Sequence, residues 1–484
     1  MKLNLNRVIT CFSFLLIPII ITTACTHQAP RLNSSGLPQR EYAYQIPEKI
    51  DDEWETSSLS TEDVDSQKIN DLIYDILTGK FRNIYSILLV KNGKVILEEY
   101  FYGYHRDSIF DLQSAVKSVV SILVGIAVDR QMISSLDQKV YDFYPEFKKT
   151  NWVEQKNEIT IKHALTMTAG LEWDQFTSDV SRNDSQKFWQ SDNRLRYVME
   201  KNLVEPPGAK FNYSNGLSVL LGGIIRETTG YYCNQFAAKN LFEPLSISNY
   251  RWDLGQWRID VGGTVGKLFL NPRDMAKIGY LMLKEGSWQG KQIVSKQWVI
   301  ESTKPHITDD LFGAGYGYQW WYGNEVINGH NIDVYYAAGK GGQHIFIVPK
   351  LDLVATFTSK VDDNPLGVYR PQSIMTSYII PAMLTPSQPP QNLNIDQLTL
   401  KKYEGQYIIT GYDEILTIIR KENKIFCKLF GDKFELFSSV KNQFYGELKN
   451  IGDVKIDFFT DNQKDIESLM VKIGFIRLPF TKMN

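Results

Sequence analysis

Two kinds of hydrophobic pattern alternate along the central part of the chain. Short apolar runs typical of strands lie near both of its ends, and the long region between them has apolar residues at the 3.6-residue spacing of helices. Asn92-Gly93 favours a hairpin between the first two runs, because both residues tolerate positive φ. We therefore expect an α+β fold with one antiparallel sheet, flanked by helices and interrupted by a helical subdomain. The predicted strands cover residues 85–90, 95–101, 332–338, 345–348 and 353–357.

The pattern changes after a proline-rich segment. Three prolines stand among residues 385–390 and oppose regular structure there. Beyond residue 396, short alternating segments predict strands at residues 415–419, 424–429, 454–459 and 468–473. We therefore expect a linker over 386–395, which separates a domain over 61–385 from an all-β, barrel-like module over 396–484.

The first 25 residues have the pattern of an export signal. Lys2 and Arg7 precede the largely apolar residues 8–21, a stretch too short to span a bilayer. Small residues then precede Cys25, as in a bacterial lipobox, where the cysteine becomes lipid-modified. Residues 26–60 are polar, so we expect them to tether the exported protein to a membrane of the cell envelope. The alternative is an ordinary cleaved signal peptide followed by a chance cysteine.

Composition and charge narrow the class of protein. The 484 residues are 43% hydrophobic and 22% charged, which is typical of globular proteins. Lysine plus arginine is 53 and aspartate plus glutamate is 55, and this near-neutral balance argues against a nucleic-acid partner. The six histidines have none of the spacings of common metal sites, so we expect no metal.

Ser114 and Lys117 form a Ser-x-x-Lys motif at the start of a strongly apolar run, residues 112–128. Residues at i and i+3 share a helix face, so the two side chains can meet. Burial would lower the pKa of the lysine, and its neutral amine could then accept the serine proton. The alternative is an N-capping serine beside a snorkelling lysine. A second such motif, Ser438 to Lys441, lies in a polar gap between predicted strands.

Two further elements carry candidate chemistry. Tyr213-Ser214-Asn215 follows a Pro-Pro-Gly segment, and we expect a phenol near two lysines to ionise well below its usual pKa of ~10. A packed loop tyrosine is the alternative.

Lys340-Gly341-Gly342 lies between two predicted strands, where glycines let backbone amides approach a substrate closely. An ordinary glycine turn is the alternative.

In this order and spacing, the three elements resemble the serine β-lactamase and penicillin-binding protein superfamily. The middle element is similar to that of class C β-lactamases, family VIII esterases and 6-aminohexanoate-dimer hydrolases. The resemblance covers about residues 52–385 and includes residues 162–171, 271–277 and 317–321. It implies a β-lactamase/transpeptidase-like fold for this part of the chain.

The resemblance also implies a role for each matching residue. Ser114 would be the nucleophile and Lys117 its general base. Tyr213 would protonate the leaving group or share the role of base, and Asn215 would orient the substrate. The amides of Ser114 and Gln343 would form the oxyanion hole.

The third element would bind substrate through Lys340, Gly341 and Gly342. Gly341 stands where the family's Lys-Thr-Gly box has threonine, so one hydrogen bond to a substrate carboxylate is missing. The leading hypothesis is a cofactor-free serine hydrolase that acts on small-molecule or peptide-like esters or amides. The alternatives are a β-lactamase, a D-alanyl-D-alanine peptidase and a non-hydrolytic penicillin-binding sensor lipoprotein.

Overall fold

The computed structural model describes most of the chain after residue 41. Cys25, the predicted signal segment 1–25 and nearly all of the predicted linker 386–395 lie outside the described residues. The described residues are 42–149, 153–175, 177, 179, 181–253, 267–308, 313–360, 367, 369–384, 395, 397–409, 414–440, 442–449, 451–461 and 465–483.

Strands from both ends of the first domain meet in one large sheet. The strands before residue 360 are β1 (Glu55–Thr56), β2 (Ile84–Lys91), β3 (Lys94–Tyr100), β4 (Phe110–Asp111), β5 (Arg251–Asp253), β6 (Lys267–Leu270), β7 (Ser287–Trp288), β8 (Lys291–Gln292), β9 (Ile307–Thr308), β10 (Gly315–Tyr316), β11 (Trp321–Ile327), β12 (His330–Gly339), β13 (Gln343–Val348) and β14 (Leu353–Ser359). Within the described residues, nine of them form a sheet in the order β1-β3-β2-β14-β13-β12-β11-β10-β9.

The pairing of β2 with β14 joins the N- and C-terminal strands, as the hydrophobic pattern predicts. β2 and β3 form the expected hairpin, in which Asn92 and Gly93 have φ values of +51° and +78°. The two-residue β1 pairs in parallel with β3, so the sheet is mixed at this edge, while its other pairs are antiparallel. The α+β prediction is confirmed.

Helices cover both faces of the sheet and fill the region between its strands. They are α1 (Ser66–Leu77), α2 (Val116–Asp129), α3 (Ile161–Leu165), α4 (Asp184–Gln190), α5 (Arg194–Met199), α6 (Asn215–Thr229), α7 (Cys233–Ala237), α8 (Pro272–Leu283), α9 (Lys296–Thr303) and α10 (Arg370–Ile374). Side chains that alternate along β13 enter two cores: Ile345 and Ile347 pack with α2, α6 and α8, and Phe346 and Val348 pack with α1 and α10. None of the helices in the described part of the chain has the length and hydrophobicity that crossing a membrane requires.

The C-terminal part is a closed barrel whose interior is filled by apolar side chains. After α11 (Gln397–Tyr403), its strands within the described residues are β15 (Gly405–Ile409), β16 (Ile415–Lys421), β17 (Lys424–Leu429), β18 (Asp432–Val440), β19 (Gln443–Leu448), β20 (Gly452–Thr460), β21 (Ile466–Ile473) and β22 (Ile476–Lys482). The four strands expected from the sequence are β16, β17, β20 and β21, and the other four complete the barrel. Burial alternates along β20, as a one-sided strand requires.

The segment before α1 is packed rather than tethered. Trp54 is 2% exposed and contacts Tyr280 and Trp288 edge-on. The Tyr44 hydroxyl donates to the Ile96 carbonyl at 2.9 Å, so this segment runs along β3. The predicted tether over 26–60 is therefore too long at its C-terminal end. The overall polar composition of this segment predicted a tether, whereas its few aromatic residues anchor residues 42–60 to the domain.

The barrel docks on the sheet face that carries α1 and α10. Phe475, in the turn between β21 and β22, is fully buried against that face. Its ring lies 6.4 Å from the rings of Tyr336 and Phe346. A side chain at Gly323 would meet Phe475 at 2.6 Å, so the absence of a side chain on β11 makes room for this ring. Phe475 is thus the apolar anchor of the barrel on the sheet.

We predict that Phe475→Ala destabilises the protein by about 3–5 kcal/mol, because it removes a buried ring and leaves a cavity between barrel and sheet. The measurement is the free energy of unfolding from urea denaturation. Phe437→Ala is the matched control, because Phe437 lies in β18 of the same barrel and is 46% exposed. Equal stabilities of the two variants would show that Phe475 does not anchor the barrel.

Candidate active site

Ser114 and Lys117 lie side by side at the start of the central helix. Ser114 belongs to a 3₁₀ turn, Gln113–Ala115, which leads directly into α2. The Lys117 Nζ lies 2.9 Å from the Ser114 Oγ. Neither the turn nor α2 has a side-chain N-cap, and Lys117 is only 3% exposed, so the capping and snorkelling alternative does not describe this pair.

Burial controls the charge of Lys117. Eleven neighbours on α2, residues 116 and 118–127, are also buried, so the amine lies in an apolar interior. Removal from water disfavours its charged form and lowers the pKa of Lys117 to about 7. A substantial fraction of the amine is therefore neutral at neutral pH and can accept a proton from the serine.

Tyr213 is the third member of this group. It precedes α6, and its ring centroid lies 5.2 Å from the Lys117 Nζ. Burial raises the pKa of the phenol to about 12, and a hydrogen bond with Ser114, which acts in the opposite direction, does not offset this rise. The expectation of an easily ionised phenol is wrong, because removal of the phenol from water has the larger effect. Tyr213 stays protonated at neutral pH and is suited to donate.

Asn215 begins α6, two residues after Tyr213. Ser214 caps this helix through a hydrogen bond from the Gly216 amide. The Asn215 Nδ2 donates to the Ser185 Oγ at 3.0 Å, which ties the side chain to α4. The substrate-orienting role of Asn215 stays a prediction.

Lys340, Gly341 and Gly342 form the turn that joins β12 to β13. Lys340 is exposed, so its charge is screened by solvent. Gly341 and Gly342 have φ values of +98° and +92°, which favour glycine. This conformation explains the missing threonine: at position 341 it would be strained.

Hydrogen bonds to β14 hold the glycine turn in place. The Ser359 Oγ donates to the Gly341 carbonyl, and the Gln343 Nε2 donates to the Ser359 carbonyl. Gly339, which pairs with Gln343 across β12 and β13, approaches the chain just before Ser114, since a side chain on it would meet the Leu112 carbonyl at 2.1 Å. The structure therefore brings the end of β13, with Gln343, next to the turn that carries Ser114.

Gln319 joins the elements that carry the site, and it was not among the predicted site residues. Its backbone carbonyl accepts from Ser118 of α2 at 2.7 Å, and its Oε1 accepts from Ser218 of α6 at 2.6 Å. Its Nε2 donates to the carbonyls of Ala164 and Leu165 in α3. Gln319 is 1% exposed, and its backbone carbonyl and side-chain amide together link α2, α3 and α6. The only signal in the sequence was its position within residues 317–321.

The second Ser-x-x-Lys motif lies elsewhere. Ser438 is in barrel strand β18, where its hydroxyl donates to the Val440 carbonyl, and Lys441 lies outside the described residues. His163 completes a capping box with Thr160 at the start of α3. In the part of the chain that the structure describes, no three His, Cys, Asp or Glu residues are grouped as a metal site.

Known proteins share parts of this chain. A protein named Protein flp, from Staphylococcus aureus strain COL, is 31% identical over 204 residues, which are 38% of this chain and 38% of that protein. The chain thus spans about two fifths of the length of the curated relatives that it matches first. The 6-aminohexanoate-dimer hydrolase of Paenarthrobacter ureafaciens is 23% identical over 297 residues, which cover 57% of this chain and 73% of that enzyme.

Solved structures show the same fold. The penicillin-binding protein homologue from Pyrococcus abyssi superposes with a TM-score of 0.52 and 18% identity, and the match covers 86% of this chain and 99% of that chain. The fold is the β-lactamase/transpeptidase fold followed by an eight-stranded barrel within the described residues. The family model described as Beta-lactamase matches residues 82–375, more than half of the chain, and the chain therefore belongs to the beta-lactamase family.

Proposed function

We propose that this protein is a serine hydrolase that cleaves an ester or amide bond through an acyl-enzyme on Ser114. The observation that carries the proposal is the contact of 2.9 Å between the Ser114 Oγ and the Lys117 Nζ, an amine with a pKa of about 7. A nucleophile paired with a neutral base is the arrangement that covalent hydrolysis requires. The name of the Paenarthrobacter relative, a hydrolase, agrees with this chemistry.

Acylation begins with the neutral Lys117. Its amine takes the proton of Ser114 as the Oγ forms a bond to the substrate carbonyl carbon, and the electron pair of the carbonyl moves onto its oxygen. Backbone amides of Ser114 and Gln343 would stabilise this oxyanion, because donors fixed in advance need no reorganisation. The end of β13 lies beside the serine turn, as this role demands.

The attack produces a tetrahedral intermediate, which collapses when the bond between its carbon and the leaving oxygen or nitrogen breaks. Tyr213 donates its proton to the departing atom, and the Lys117 ammonium returns a proton to the phenolate. Both side chains contact Ser114, so the proton travels a short path. Water then attacks the acyl-enzyme, Lys117 accepts a water proton, and Ser114 leaves with that proton.

Esters and simple amides fit the site better than β-lactams. The family's Lys-Thr-Gly box recognises a carboxylate through its threonine, and here Gly341 supplies no hydroxyl. Lys340 is exposed, so its attraction for a carboxylate is screened. A penicillin-binding sensor is the second candidate, and it differs by an acyl-enzyme that water does not release.

We predict that Ser114→Ala lowers kcat/KM for a neutral ester such as p-nitrophenyl acetate by several orders of magnitude, because the nucleophile is lost. Ser438→Ala, which changes the second Ser-x-x-Lys motif, should leave kcat/KM within twofold. Intact-protein mass spectrometry should find the acetyl adduct on Ser114 in the unchanged protein and its disappearance with time. Near-normal turnover by Ser114→Ala would refute the mechanism, and a permanent adduct would favour the sensor.

We also propose that the protein is exported and anchored to a bacterial membrane by a lipid on Cys25. The proposal is supported by the sequence pattern around Cys25, which lies outside the described residues. Cys25→Ser should move the protein from the membrane fraction of producing cells to a soluble fraction. An unchanged membrane fraction and unchanged electrophoretic mobility would contradict lipid anchoring.

A further inference from the structure

An aromatic cluster surrounds Tyr213. The rings of Tyr213 and Trp321 are stacked, with centroids 5.7 Å apart and an angle of 21° between their planes. Phe211 lies 6.5 Å from Tyr213 and 5.9 Å from Trp321. Tyr316 contacts Phe211 at 5.1 Å and Trp321 at 4.7 Å. The proposed proton donor is therefore one member of a four-ring cluster.

The four rings differ in their access to solvent. Tyr213 and Tyr316 are buried, with 8% and 1% of their surface exposed. Phe211 and Trp321 are half-buried, so each residue keeps part of its surface accessible to solvent. They come from separate elements, the loop before α6 and the start of β11, yet meet beside the same phenol. We call these two partly exposed residues, Phe211 and Trp321, the apolar wall.

The position of this wall decides which part of a substrate it meets. Tyr213 hydrogen-bonds with Ser114, and in the proposed reaction its proton goes to the departing atom. The alcohol or amine part of the substrate, which is bonded to that atom, must then lie next to Tyr213. The rings of Phe211 and Trp321 contact the Tyr213 ring, so in the proposed reaction they are the neighbours of the group that donates to the leaving alcohol or amine.

We infer that Phe211 and Trp321 form the leaving-group subsite and select esters or amides with an aromatic or bulky apolar leaving group. This inference rests on the proposed function. Aromatic rings favour contacts with other rings at centroid distances of 4.5–7 Å, which the spacing in this cluster matches. A negatively charged leaving group would lose water at this wall without gaining a partner from either ring.

The test compares two acetate esters in one enzyme. Benzyl acetate and 2-methoxyethyl acetate give the same acetyl-enzyme, so deacylation is common to both. Their kcat/KM ratio therefore reports on binding and departure of the leaving group alone. We expect the unchanged protein to prefer benzyl acetate by about tenfold or more.

Variants of the wall should change the ratio of the two kcat/KM values. Phe211→Leu and Trp321→Leu should each reduce the preference for benzyl acetate by roughly three- to tenfold. Trp321→Phe keeps an aromatic face and should retain most of the preference. Phe437→Leu is the control, since this exposed ring lies on the barrel.

The outcomes separate the wall from the catalytic proposal. A ratio near one in the unchanged protein, or a ratio that Phe211→Leu and Trp321→Leu both leave unaltered, would overturn the leaving-group subsite while Ser114 acylation stands. A protein whose Ser114 is acetylated by neither ester would refute the proposed function itself. Because Trp321 also packs against both cores, Phe211→Leu serves as the variant that keeps the test decisive if Trp321→Leu fails to fold.

Discussion

The burial of the Lys117 amine is the constraint on which the site depends. Desolvation lowers the pKa of Lys117 from 10.5 to about 7. This shift corresponds to a cost of about 5 kcal/mol in folding free energy when the buried amine is charged. Between these two values the unfolded chain binds more protons than the folded one, so this cost to stability is full below pH 7 and disappears as the pH rises toward 10.5. The fold thus gives up stability at neutral pH to obtain a neutral base beside Ser114.

The surrounding structure offsets the cost of burying Lys117 and positions its amine. α2 is buried along nearly its whole length, so many apolar contacts offset one unfavourable group. Gln319 links α2, which carries Lys117, to α3 and to α6, which begins just after Tyr213. Ser359 holds the glycine turn in place through its hydrogen bond to the Gly341 carbonyl. The same burial keeps Tyr213 protonated, so one environment separates the roles of base and acid.

Local signals in the sequence predicted what depends on local chemistry. Asn92-Gly93 specified the β2–β3 hairpin, and the i to i+3 spacing placed Ser114 beside Lys117. The contacts of Gln319 reach residues more than 100 positions away, so no local pattern reveals them. The direction of the Tyr213 pKa was wrong for the same reason, because the burial of a side chain is set by the whole fold.

The pH dependence of the acylation rate tests the central claim most directly. Pre-steady-state acetylation of Ser114 by a neutral ester isolates the step in which Lys117 accepts a proton. We expect the rate constant to rise with pH through a single ionisation near 7 and then to stay level, because the neutral amine is the active form and Tyr213 ionises only at about 12. A rate that rises only near pH 10, or that falls as the pH passes 7, would contradict a neutral Lys117 as the base.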